Sequence, residues 1–172
     1  DRVLDVIEER RSSAFMGVPA TYQLLDQAGA QYRDLSCVRV WMTGADVMPA
    51  PLARRFKSFG ASATLPLIGP IGEAAFFEGY GMVETGGGVV AKVSPPLLPV
   101  GLGDSLGMTL PGWKVRVTDH HDQPVPSGSV GELQVKGPGV LKGYHGDAAA
   151  SATALTDAGG VRTGDLLRSG PF

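Results

Sequence analysis

Two rhythms of apolar residues alternate along the first half of the chain. Val3, Val6 and Ile7 share one helical face, closed by Glu8, Glu9, Arg10 and Arg11, and predict a helix over residues 1–10. Residues 14–18 form a short apolar run, the pattern of a strand. Pro19 suits the first turn of a helix. Tyr22 and Leu25, with Leu24 and Ala28, make that helix's inner face, and Gly29 ends it. Residues 35–42 predict a second strand. Residues 51–59 predict a further helix, with Leu52, Phe56 and Phe59 at i, i+4 and i+7 and Gly60 as the stop. Residues 61–73 are irregular, with room for one short strand at 64–68, and 74–77 read as a buried strand. Strands alternating with helices predict a parallel sheet with crossover connections.

After Pro95-Pro96 the pattern changes. Val115 and Val117 alternate with Lys114, Arg116 and Thr118, and Leu133 and Val135 alternate within 131–136, as on two-faced strands. His121-Asp122-Gln123-Pro124 reads as a turn, and 147–154 as a short helix. The fold class expected is therefore α/β followed by mainly antiparallel β. A parallel-sheet α/β subdomain would span 1–97 and a small distorted β-barrel or sandwich 98–172, with the boundary near 95–100.

Composition narrows the function classes. A length of 172 residues allows one ordinary domain or two small subdomains. The 25 glycines and 13 prolines imply many turns. A net charge of −2, with scattered Lys and Arg, carries no electrostatic footprint for nucleic acid. Cys37 is the only cysteine, which excludes an internal disulfide and a thiolate metal cluster and points to a reducing compartment, the cytoplasm. No apolar run approaches the ~18 residues of a membrane span. The chain opens on Asp1-Arg2 as if inside a helix, which reads as a cut through a longer protein.

Candidate chemistry gathers at Glu78-Gly79-Tyr80-Gly81-Met82-Val83-Glu84-Thr85, where a strand is expected to end in a turn. Gly79 and Gly81 would let the backbone approach a flat ligand or take positive φ. Tyr80 offers a ring face, and Glu84 a hard oxygen of the kind Mg²⁺ takes beside phosphates. The alternative is a Gly-rich turn with one solvated Glu. Thr43-Gly44-Ala45-Asp46 lies where the second strand is expected to end, the ligand-binding side of open α/β sheets, and is otherwise an ordinary strand-to-helix loop.

The octet resembles the Tyr-Gly-x-Thr-Glu signature of the adenylate-forming superfamily: acyl-CoA synthetases, luciferases and adenylation domains. Val18-Pro19-Ala20-Thr21 is similar to the family's Val-Pro stretch, and Thr43-Gly44-Ala45 with Met48-Pro49 to its Gly-Gly-Ala-Pro-Leu-Pro segment. Asp104-Ser105-Leu106-Gly107, Gly131-Glu132-Leu133 with Gly143-Tyr144, and Thr163-Gly164-Asp165 match three further motifs in order. The resemblance implies that Tyr80 lies against adenine and that Glu84 binds Mg²⁺ of MgATP as the catalytic and metal residue. It implies nucleotide contacts from Thr43, Gly44, Ala45, Glu78, Gly79, Tyr80, Gly81, Met82 and Asp165. Asp165 would grip both ribose hydroxyls, and Gly44, Gly79 and Met82 would border the acyl pocket. The family's Thr before the Glu is Val83 here, and no phosphate role is carried over to it.

The implied activity is ATP-dependent acyl-CoA synthesis: a carboxylate is joined to AMP and then passed to CoA. Glu78-Gly79-Tyr80-Gly81-Met82 is more similar to fatty-acid ligases than to peptide-synthetase domains. An adenylation enzyme serving a carrier protein and a non-catalytic scaffold are the alternatives. The family's phosphate loop is expected before residue 1 and its lysine-bearing domain after residue 172, so this piece alone is expected to be inactive. Rival chemistries fit less well. Gly86-x-Gly88-x-x-Ala91 has dinucleotide-site spacing but little room for the required helix. His120, His121 and His145 are too few for a metal hydrolase. There is no Gly-x-Ser-x-Gly elbow.

Overall fold

The structure is a computed structural model that describes residues 2–98 and 100–170. Contacts divide the chain into two units. One holds the chain up to Tyr80 together with Val90–Met108, the other Gly81–Val89 and the chain from Thr109 onward.

In the first unit, α1 (Arg2–Arg10) buries Leu4 and Ile7, while Val3 and Val6 are exposed. The expected face is thus rotated. Burial of Leu4 and Ile7 in the core sets the helix orientation, and Asp5 and Glu8 then pair with Arg33. The expectation at Asp1 lies outside the described residues. Strand β1 (Ala14–Met16) leads through Val18 into α2 (Pro19–Gln27), whose core face is Tyr22 and Leu25 with Leu24 exposed. Gly29 takes the left-handed conformation, φ 90°, after the helix.

Strand β2 (Val40–Gly44) begins later and runs further than the apolar run suggests. Residues 35–38 form a turn closed by the Val38 amide on the Leu35 carbonyl at 3.0 Å. Arg39 donates to the carbonyls of Ser36 and Ala61, which holds the chain out of the ladder up to that point. Helix α3 (Ala50–Phe59) follows, and Gly60 leaves it in an extended conformation. A Cβ on Gly60 would sit 2.6 Å from both the Ala74 Cβ and the Val38 carbonyl oxygen, so glycine is required there for packing. The irregular stretch holds a small antiparallel hairpin, β3 (Ala63–Leu65) and β4 (Gly69–Ile71).

Strands β1, β2 and β5 (Ala75–Met82) are parallel, in the register Phe15–Trp41–Phe76. Strands β6 (Gly87–Ser94) and β7 (Met108–Thr109) complete the sheet order β1-β2-β5-β6-β7. The core is aromatic: Tyr22, Trp41, Phe56 and Phe76 are buried, with Phe15 and Phe59 packed against them. Phe56 meets Tyr22, Trp41 and Phe59 edge-on at ring-centroid distances of 4.9, 5.2 and 5.3 Å. Lys57, on the same helix, is also buried. Its ammonium donates to Ser94 Oγ at 2.7 Å and the Pro95 carbonyl at 2.9 Å, and pairs with Glu73 at 3.0 Å. A buried cation is tolerated where its donors are satisfied in this way.

The second unit contains an antiparallel sheet of β8 (Lys114–Thr118), β9 (Val130–Lys136) and β10 (Val161–Arg168), with β9 central. The antiparallel expectation holds, but among the described residues the sheet is open and forms no closed barrel. Helix α4 (Ala148–Ala154) is capped by Asp147, whose carboxylate accepts from the Ala150 amide at 2.8 Å.

Phe56→Ala should remove about 3–5 kcal/mol of stability, since it deletes a buried ring from close packing. Leu24→Ala, at an exposed site of α2, should cost under about 0.5 kcal/mol. Urea midpoints of the two variants check the difference.

Candidate functional site

Strand β5 runs through most of the octet. Glu78 to Met82 are strand residues, and the turn is confined to a 3-10 segment, Val83–Thr85. The expected early turn is therefore corrected. Neither Gly79 nor Gly81 takes positive φ. A Cβ on Gly81 would lie 2.1 Å from the Gly87 carbonyl oxygen, so this glycine serves the approach of the chain's own backbone. Residues 86–91 lie largely in β6 rather than opening a helix, which removes the dinucleotide reading.

In the first unit, the end of β2 lies against β5. Thr43 is in register with Glu78, and Gly44 with Gly79. A Cβ on Gly44 would stand 3.0 Å from the Gly79 carbonyl oxygen. Ala45 leaves the strand with φ 69°, a left-handed value that redirects the chain at once. Asp46 accepts from the Val47 amide at 2.7 Å. The Thr43 hydroxyl is buried and has no hydrogen-bond partner among the described residues. Five of the predicted residues, Thr43, Gly44, Glu78, Gly79 and Tyr80, thus share one strand pair, with Ala45 directly after it.

Glu78 is not a free carboxylate. It pairs with Lys92 of β6 at 3.2 Å, and Lys92 also donates to the Gly103 carbonyl at 2.6 Å. Burial raises the Glu78 pKa above the ordinary carboxylate value, and Lys92 opposes that rise. Lys92 was not foreseen. In the sequence it is a lone cation among β-branched and small residues, and only the pairing of β6 beside β5 gives it a partner.

In the second unit, Glu84 sits in the 3-10 turn. Thr85 is buried, and its hydroxyl accepts from the Met82 amide at 3.1 Å. It lies 2.8 and 2.7 Å from the carbonyls of Met82 and Gly87, two acceptors for its one proton. Thr85 therefore holds the turn and cannot replace the hydroxyl missing at Val83, whose side chain is 93% exposed. The Glu84 carbonyl accepts from the Leu141 amide at 2.8 Å. Its Oε1 accepts from the Tyr144 hydroxyl at 2.8 Å, and that bond raises the Tyr144 pKa. Tyr144 was visible in the sequence only as part of a motif.

Asp165 also belongs to the second unit. It is exposed on β10, where the register against β9 shifts between Arg162 and Leu166. Gly164 has φ 77°, and its amide donates to Glu132 Oε1 at 2.9 Å. Thr163 Oγ1 donates to the Leu133 carbonyl at 2.8 Å and accepts from the Asp165 amide at 3.1 Å. The bulge is thereby fixed from both sides and presents Asp165 outward.

Among the described residues, no three His, Cys, Asp or Glu side chains gather as a metal site. Glu84 offers one carboxylate, which suits Mg²⁺ arriving on a phosphate ligand rather than a dedicated protein cage. Among the same residues no helix is long and apolar enough to cross a membrane.

The AMP-binding enzyme family matches residues 1–145. A feruloyl-CoA synthase from Amycolatopsis sp. is 34% identical over 170 residues, covering 95% of this chain and 30% of the relative. The nonribosomal peptide synthetase pngA of Aspergillus terreus is 39% identical over 92 residues, 51% of this chain and 10% of the relative. The ATP-bound structure of MatB from Rhodopseudomonas palustris superposes with a TM-score of 0.76 at 28% identity, over 99% of this chain and 31% of that one. The chain thus spans about a third or less of the length of these relatives.

Lys92→Met should make stability more dependent on pH. A carboxyl whose folded pKa is raised contributes stability that is full below its unfolded pKa and lost as pH rises through the folded one. Without Lys92 the Glu78 pKa rises further, so the loss extends to higher pH. Urea midpoints from pH 4 to 8 should fall more steeply in the variant than in the wild type.

Proposed function

The chain belongs to the AMP-binding enzyme family, and from that premise we propose that its protein is an ATP-dependent acyl-CoA ligase acting on a fatty or related carboxylic acid. The substrate carboxylate attacks the α-phosphorus of ATP, pyrophosphate leaves, and the thiol of CoA then takes the acyl group from AMP. The observation that carries this reading is Glu84, a carboxylate held by main chain and side chain in a pinned turn at the end of β5.

Glu84 would hold Mg²⁺, which when bound neutralises phosphate charge. The rest falls to the chain's own groups. In the first unit, Thr43, Gly44, Ala45, Glu78, Gly79 and Tyr80 border adenine, Tyr80 through its ring, and Gly44 and Gly79 leave room for the acyl group. In the second, Gly81 and Met82 contact the nucleotide, Met82 also the acyl group, and Asp165 accepts from the ribose hydroxyls. An exposed carboxylate on a braced bulge supports the last assignment, because a vicinal diol offers two donors to its two oxygens. The peptide-synthetase match favours a second reading, in which a carrier-bound thiol replaces CoA. Acyl transfer to free CoA against transfer to a pantetheinylated carrier separates the two.

In the full-length protein, Glu84→Gln should slow pyrophosphate release about ten- to hundredfold at low Mg²⁺, the size of a lost charged interaction, and recover in part at high Mg²⁺. Normal turnover at low Mg²⁺ would leave Glu84 as a solvated turn residue.

Asp165→Ala should weaken ATP binding by ~3 kcal/mol, about a hundredfold, if both charged hydrogen bonds are lost. The penalty should shrink with 2′,3′-dideoxy-ATP. Equal penalties with both nucleotides would remove Asp165 from the ribose.

A further inference from the structure

We infer that Tyr144 is a positioning residue for the metal-binding carboxylate, and that α4 sets its place. The inference rests on the assignment of Glu84 to Mg²⁺ and adds a residue to it.

The geometry is continuous within the second unit. The Tyr144 hydroxyl donates to Glu84 Oε1 at 2.8 Å, which among the described residues leaves Oε2 as the oxygen open to a cation. The Tyr144 backbone is itself tied down. Its amide donates to Ser151 Oγ at 2.8 Å, and Ser151 Oγ donates to the Asp147 carbonyl at 2.7 Å. Asp147 caps α4, on which Ser151 lies. A Cβ on Gly143, just before the tyrosine, would meet Ser151 Oγ at 3.1 Å, so the backbone packs closely there. The main chain adds a second tie, from the Leu141 amide to the Glu84 carbonyl. Residues 141–144 therefore hold Glu84 by backbone and by side chain, and α4 holds residues 143–144.

A half-exposed Glu side chain otherwise samples several rotamers. A donor on one oxygen selects one of them and aims the other oxygen before a cation arrives. Outer partners of metal ligands typically contribute about ten- to hundredfold in metal affinity or activity. A phenol suits this post, because it orients the carboxylate without cancelling its charge.

The test uses the full-length protein with Tyr144→Phe, Glu84→Gln and the double variant. Two readouts are taken: the Mg²⁺ dependence of pyrophosphate release, and the affinity of the protein–ATP complex for Mn²⁺ by electron paramagnetic resonance. Tyr144→Phe should raise the Mg²⁺ requirement about tenfold and weaken Mn²⁺ by a similar factor. It should change kcat at saturating Mg²⁺ little and leave the thermal midpoint close to wild type. Ser151→Ala, which touches neither ring nor carboxylate, should shift the Mg²⁺ requirement in the same direction by less. In the Glu84→Gln background, Tyr144→Phe should add little. A Tyr144→Phe penalty that persists undiminished there would overturn the inference, as would an unchanged Mg²⁺ and Mn²⁺ response in Tyr144→Phe while Glu84→Gln is impaired. If Glu84→Gln itself behaves as wild type, the metal assignment fails and the positioning role falls with it.

Discussion

Strands β5 and β6 can be joined by so short a turn only because no side chain stands at Gly81. The Gly87 carbonyl oxygen occupies the space a Cβ would need, 2.1 Å from its position. Any other residue would push the two backbones apart and open the turn. With the strands close, the Thr85 hydroxyl reaches the main chain of both Met82 and Gly87 and closes the turn from within. Gly86 then takes the left-handed conformation, φ 65°, that starts β6. Gly139 meets the turn under the same restriction, since its Cβ would lie 2.2 Å from the Thr85 carbonyl oxygen. The placement of Glu84 thus follows from backbone contacts that only glycine permits, and its side-chain partner is a later refinement.

The first unit solves a different problem. Strands β2 and β5 run side by side as far as Gly44 and Gly79, and β5 continues past the end of β2 to Met82. The core these strands share with the helices needs large apolar groups, although Ala14 and Met16 of β1 are exposed. Tyr22, Trp41, Phe56 and Phe76 supply them, and the Tyr22 hydroxyl donates to the Met42 carbonyl at 2.7 Å. Gly44 and Gly79 stand in register where β2 ends, and Ala45 turns the chain away with a left-handed φ.

Most of this order was legible from periodicity. The α/β half, its three helices and its parallel strands followed from spacing, because each helix buries one stripe and each strand one short run. Strand limits were less legible. Residues 35–38 look like strand, but the side chain of Arg39 binds nearby carbonyls and keeps them in a turn. The reach of β5 through two glycines was hidden, since glycine in a strand reads locally as a break. The hairpin partner that stabilises it lies several residues on. For the candidate site, the residue types were visible and their partners were not. Lys92, Tyr144 and Thr85 act through contacts made by strand pairing or by chain distant in sequence, and such contacts leave no mark in local spacing.

Glu78 and Glu84 lie six positions apart in one motif and are the same residue, yet their surroundings separate their chemistry. Glu78 is largely buried and faces an ammonium, so its charge is spent on Lys92 and on the desolvation both groups incur. Glu84 is more open and faces a neutral phenol, which lends direction but no charge. A cation arriving on phosphates would gain little from the first carboxylate, because Lys92 already neutralises it and would repel the newcomer. The second has one oxygen held by the phenol and, among the described residues, the other uncommitted. What each is bonded to separates the two, and it supports the proposed assignment of Mg²⁺ to the residue in the turn rather than to the one in the strand.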